Sequence, residues 1–217
     1  MTDPVEQVKP RWRGVLHQYA SPGALVAGVA LVVAAPGALA KSAVGIYAAA
    51  LTGLFTVSAL YHRVDWRPPA RRWMRRLDHS MIFVLIAATY TPFGLLVLDG
   101  VWTTAVLVGI WGGALAAIVL KLSWVDSPKW VTALIGLALG WVGVATLPAL
   151  ARGAGAGAIA LLVTGGLLYS AGAVIYALRR PDPSPAVFGY HEIFHVLVVA
   201  AAALHFAGIA LYAVPAG

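Results

Sequence analysis

Cysteine is absent from all 217 residues. That excludes disulfides, thiolate-held metals, iron–sulfur clusters and a cysteine nucleophile. Any metal must be held by His, Asp or Glu. Charge is also scarce. Asp, Glu, Lys and Arg together supply 11% of the chain, against roughly a quarter in an ordinary soluble domain. Acidic residues number only eight. No linker-like segment and no internal repeat divides the sequence, so residues 1–217 read as one domain, with residues 1–20 as a cytoplasmic N-terminal segment. Apolar residues fill the space that charge leaves, at 61%. A chain of this size cannot hide that much apolar surface within itself, so lipid must cover the rest.

Seven apolar stretches stand between polar breaks, at residues 22–40, 42–62, 77–98, 101–122, 130–150, 155–178 and 191–214. Most match the roughly 20 residues that a helix needs to cross a hydrocarbon core. Ser21-Pro22 reads as the cap and first residue of the first helix. Pro36-Gly37 interrupts that stretch and makes it the weakest of the seven. A cleaved leader is its rival reading, with Lys9, Arg11 and Arg13 ahead of it and Ala38-Leu39-Ala40 as the cleavage site. The late start of the stretch argues for a span instead.

The net charge of +7 raises the question of nucleic acid. The distribution of the basic residues answers it. With the N-terminus inside, thirteen of the fifteen Lys and Arg residues fall on cytoplasmic segments, and only Lys41 and Arg152 fall outside. This is the positive-inside pattern, and it predicts an all-α, seven-span protein with a cytoplasmic N-terminus and an external C-terminus. The run from Arg71 to Arg76 then faces anionic lipid rather than nucleic acid. Trp66, Trp73, Trp102, Trp124 and Trp130 fall at the ends of the expected helices, where an aromatic belt belongs.

Ionisable residues in membrane helices are costly and mark candidate sites. This topology sets His62, Asp78, His191 and His195 in one layer near the cytoplasm. His191 and His195 are spaced i, i+4 on one helix face, as are Ser58 and His62. Two imidazoles so spaced can grip one metal ion, and a third from another helix would leave a fourth position open for water. Asp78 could then serve as a general base. The same residues also admit plainer roles. Histidines at a membrane edge can hydrogen-bond lipid or carbonyls, and Asp78 and Glu192 can be favourable charges in first helical turns. His79, about 100° around the helix from Asp78, turns to a neighbour or the loop. His205 lies about 15 Å beyond His195 and reads as a packing residue. His17, ahead of the first stretch, reads as a surface residue.

These residues sit in recognisable blocks. Ser58-Ala59-Leu60-Tyr61-His62-Arg63, Leu77-Asp78-His79-Ser80-Met81-Ile82-Phe83 with Thr89-Tyr90-Thr91-Pro92-Phe93, and Gly189-Tyr190-His191-Glu192-Ile193-Phe194-His195 occur in order. The chain resembles the hemolysin III family, within the progestin and adiponectin receptor (PAQR) superfamily, from Ser21 to Leu211. The resemblance implies seven helices in the cell membrane and a zinc ion held by His62, His191 and His195 near the cytoplasmic face. It also implies that Asp78 holds the water at that zinc and that Ser58 belongs to the same set. Relatives that hydrolyse lipid amides make a zinc-dependent membrane hydrolase of a lipid amide or ester the first functional expectation. A zinc-containing sensor or regulator of membrane lipid state without turnover is the second, and a cytolytic protein the third. Haem held by two histidines is a further alternative, but it leaves Ser58 and Asp78 without a role. The expected partners are membrane lipids, as environment and as substrate.

Overall fold

Long runs of Ala, Val, Leu and Ile in lipid must satisfy their own backbone, and the helix does so within one segment. The computed structural model describes residues 9–217, and its named elements are all helices. The first eight residues of the expected N-terminal segment lie outside the described residues. Among the described residues the only β pairing is one isolated bridge between Ser184 and Phe188. The helices are α1 (Val15–Ala34), α2 (Gly37–Arg63), α3 (Pro68–Leu96), α4 (Gly100–Ser123), α5 (Lys129–Gly140), α6 (Leu147–Leu178) and α7 (Tyr190–Gly208). A 3₁₀ turn at Val142–Thr146 joins α5 to α6, and a π turn at Ile209–Ala213 carries α7 on to Val214–Ala216.

Each helix packs on the next from α1 to α4. α3 also meets α5, α5 packs on α6, α6 on α7, and α7 returns to α1. The result is a closed ring of helices. Its main core joins Tyr47, Leu51 and Phe55 of α2 to Leu85 and Phe93 of α3 and Val198 and Ala202 of α7. A smaller core holds Phe83 and Ala87 of α3 against Ile110 and Ala114 of α4. The outward faces carry exposed apolar side chains, among them Val26, Val33, Val108, Leu115, Leu134, Leu167 and Val174. Such a surface suits lipid. Trp73, Trp102, Trp124 and Trp130 are exposed near helix ends, as expected of belt residues.

The first helix departs from the sequence reading. α1 starts at Val15, not at Pro22, and Pro22 lies inside it. The turn to α2 falls at Ala35 and Pro36, within the stretch expected to be one span. The proline forgoes one backbone bond, while its neighbour Ser21 meets Thr56 of α2 through a 2.7 Å hydroxyl–hydroxyl bond. His17, Ala24, Gly28 and Leu31 are buried along one stripe of α1.

Among the described residues six helical segments are long and apolar enough to cross a membrane, and the fifth is a single 50-residue segment from Lys129 to Leu178. The separate fifth and sixth stretches expected from the sequence both lie in it. It is not straight. Gly155, with φ 81° and ψ 172°, interrupts α6 in a conformation that suits glycine. Trp141 Nε1 donates to Ser170 Oγ at 2.9 Å. Those two residues are nearly equidistant from Gly155 in sequence, so the chain folds back on itself there.

The break after α5 also has a specific partner. Tyr90 of α3 donates its hydroxyl to Gly140 C=O at 2.6 Å and accepts from Gly143 N–H at 2.9 Å. Two backbone groups freed by the break are thereby satisfied. A Cβ on Gly143 would lie 2.6 Å from the Tyr90 ring, so glycine is required for the approach. Tyr90→Phe should cost about 1–3 kcal/mol of stability, because the Gly140 and Gly143 groups at the break face lipid rather than water and would be left unpaired. A lowered melting temperature of the purified variant in detergent checks this, and an unchanged one contradicts it.

Candidate metal centre

The chain brings four helix ends together at one end of the ring. α2 finishes there with Ser58 and His62. α3 enters with Asp78 and His79 on its third turn. α7 opens there with His191, Glu192 and His195, and α1 begins there with His17. Ser58, His62, His191 and His195 are all buried.

The ring nitrogens of His62, His191 and His195 lie within 4.8 Å of one another. His62 Nε2 and His191 Nε2 are 3.2 Å apart. A tetrahedral ion with metal–nitrogen bonds of about 2.0–2.1 Å sets its ligand nitrogens about 3.3 Å apart. The closest pair therefore has the spacing of two ligands on one ion, and the three imidazoles could hold a metal. Asp78 Oδ2 stands 4.0 Å from His62 Nε2. That distance places the carboxylate in the same polar cluster as the imidazoles.

The surroundings of the triad fix its rings. Tyr176 meets His191 edge-on at 5.7 Å between centroids. The Tyr176 hydroxyl also lies 3.4 Å from His79 Nε2. His79 thus turns to a neighbouring helix. Lys129 Nζ sits over the Tyr176 ring at 4.8 Å and the Tyr190 ring at 4.6 Å, and donates to the Tyr190 hydroxyl. His205, far along α7, has its Nε2 3.2 Å from Leu162 C=O, in keeping with a packing role.

Two residues have larger parts than the sequence suggested. Glu192 is a first-turn charge, and its Oε2 accepts from Gly189 N–H at 2.9 Å. It is also fully buried and paired through Oε1 with Arg13 Nε at 2.5 Å. His17 is not a surface residue: it is 2% exposed. Its ring stacks on His195 with centroids 3.8 Å apart and planes 10° from parallel, and its Nδ1 is 2.8 Å from Ser58 Oγ. The misreading followed from starting α1 at Pro22, which left His17 in a loop. One sequence signal could have found it. Arg13, His17 and Ser21 repeat every four residues and continue into Ala24, Gly28 and Leu31, the stripe of a buried helical face.

A cavity of about 210 Å³ opens from the histidines into the ring. Its polar end is lined by His17, Ser58, Asp78, His191 and His195, and its body by Ile82, Leu85, Phe93, Leu162 and Val198. The Gly136, Gly140 and Gly143 positions of the broken α5 segment form part of its wall.

Comparison with known proteins agrees with this architecture. The family model "Haemolysin-III related" matches residues 5–206. "Hemolysin-3" of Bacillus cereus is 29% identical over 170 residues, which cover 78% of this chain and 74% of that protein. "Hemolysin-3 homolog" of Bacillus subtilis (strain 168) is 33% identical over 170 residues, covering 78% and 76%. "Adiponectin receptor protein" of Drosophila melanogaster is 49% identical over 53 residues, covering 22% of this chain and 12% of that receptor. With its apolar helices and buried histidines, the chain is a multi-pass membrane protein that belongs to the haemolysin-III-related family, within the PAQR superfamily.

Proposed function

We propose that this protein is a zinc-dependent membrane hydrolase acting on an amide or ester of a membrane lipid. The observation that carries the reading is the convergence of three imidazoles, two of which line the polar end of an apolar cavity while the third, His62, lies 4.0 Å from the Asp78 carboxylate that also lines it. His62, His191 and His195 would hold the ion, which would supply Lewis-acid activation of a carbonyl and of water at neutral pH. Asp78 would accept a proton from water at that end as general base and return it to the departing amine or alcohol. Ser58, one turn before His62, supplies a hydroxyl to the same polar end. The apolar body of the cavity takes the acyl chain, which sets the linkage beside the histidines.

A second reading has its own support. α2 packs extensively on α1 and α3, while its close approaches to α7 are few, made by the imidazoles at one end and by Tyr47 further along. An ion there would tie α2 to α7, as a sensor or regulator of lipid state without turnover requires. The lytic reading draws no comparable support from this geometry.

Membrane topology belongs to the same proposal. The segment from Lys129 to Leu178 crosses twice, turning at Gly155, and makes seven spans with the N-terminus inside and the C-terminus outside. The fold-back between Trp141 and Ser170 and the placement of the basic residues support it. A reporter enzyme active only outside the cytoplasm, fused after Gly217, is expected to be active. An inactive reporter on an expressed and inserted fusion would argue for an even number of spans.

Two further outcomes test the chemistry. Protein purified in detergent should carry about one zinc per chain by elemental analysis, and His191→Ala and His195→Ala should each lose it. A folded wild type that neither carries zinc nor takes it up on addition would remove both zinc readings. Asp78→Asn should keep its zinc while lipid hydrolysis falls by about 10²–10⁴-fold, the usual contribution of a general base. Turnover at the wild-type rate in that variant would sink the assignment of Asp78. Zinc-loaded wild type that stabilises on metal binding yet hydrolyses no lipid amide or ester would favour the sensor.

A further inference from the structure

Residues Arg13 to His17 touch each element that builds the triad. Arg13 pairs with Glu192, the neighbour of His191. Gly14 has φ 79°, and a Cβ there would lie 2.6 Å from His62 Cβ, so only glycine lets the chain cross this close to His62. His17 follows one turn into α1. One face of its ring lies against His195, and its Nδ1 meets Ser58. The far nitrogen, Nε2, is buried with no hydrogen-bond partner. Burying an unsatisfied nitrogen is unfavourable, and a simple packing residue at this place would more economically be apolar. A helical histidine left to itself also has two broad ring orientations. Parallel contact at 3.8 Å restricts His195 to one plane, and that plane sets where its free nitrogen points.

We infer that His17 is a positioning residue of the site, its ring face orienting the His195 imidazole toward the triad and its Nδ1 holding the Ser58 hydroxyl. This rests on the reading of His62, His191 and His195 as a metal site. His17 is not itself a ligand in this role. Residues 13–17 are therefore part of the site, brought there by the Arg13–Glu192 pair and the passage at Gly14.

The two contacts can be separated. His17→Phe keeps a flat ring against His195 but cannot hydrogen-bond Ser58. His17→Leu and His17→Gln lack the ring, and glutamine retains a polar group near Ser58. Zinc affinity measured by competition with a chromophoric chelator should fall about tenfold in His17→Leu and His17→Gln, the range for residues that orient a ligand. His17→Phe should stay within about threefold of wild type. The visible spectrum of the cobalt(II)-substituted protein, which reports ligand geometry, should shift in the leucine and glutamine variants and not in the phenylalanine variant. Melting temperatures of the metal-free proteins separate these effects from folding, and having two ringless variants keeps the comparison open if one fails to fold. Wild-type affinity and spectrum in both ringless variants overturn the inference, as does a loss in His17→Phe equal to theirs. A wild type that binds neither zinc nor cobalt defeats the metal-site reading itself and this inference with it, an outcome visible without any variant.

Discussion

His62 Nε2 and His191 Nε2 approach to 3.2 Å across 129 residues of sequence, in an interior with little water to separate them. At most one proton can lie between two such nitrogens, and a third imidazole stands in the same space. The rest of this end of the bundle is arranged around that constraint. α2 and α7 must end and begin at the same depth. Tyr176 closes one side of the group and His17 another. Glu192, one residue after His191, is buried without access to water, and Arg13 supplies its countercharge. Removing one partner from such a pair costs far more than the pair contributes, because the remaining charge stays buried. The first turn of α7 and the residues ahead of α1 are thus bound to one another.

The opposite requirement governs the middle of the bundle. A cavity needs helices that do not close on it, and the α5 segment meets that need by stopping short. Its 12 residues would extend only about 18 Å as a helix, well under a bilayer core. Irregular backbone at such a depth is tolerated where protein or a cavity covers it. Tyr90 satisfies the break from α3, and glycines along the segment leave room for the tyrosine and for the cavity. The broken helix and the polar cluster are therefore two ends of one feature, with an apolar passage between them.

Much of this was legible from residue order. The absence of charge from long stretches marks the helices, and the four-residue spacing of His191 and His195 puts both rings on one face of α7. Asp78 and His62 could be assigned to the same layer because each lies at the end of its stretch that adjoins the arginine-rich segment 63–76. Other features were not legible, for definite reasons. Pro22 resembles a helix start because proline is favoured in a first turn, yet Ser21 and its neighbours pack on α2 well enough to carry the helix through it. Glu192 looks like an ordinary first-turn charge, and nothing near it in sequence reveals an arginine 179 residues away. Stretches five and six look independent, whereas their connection is helical almost throughout, with the change of direction concentrated at Gly155.

The sequence by itself determined that this chain lives in a membrane as helices, which end of the bundle carries its polar residues, and which histidines share a helix face. Those properties follow from hydropathy, charge placement and the 3.6-residue period, all of which are local. Only the tertiary structure decided how closely the three imidazoles approach one another, that Arg13 and His17 join them, and that an apolar cavity leads away from them. Each of these depends on distances between segments remote in the chain, set by side-chain packing that no local pattern encodes.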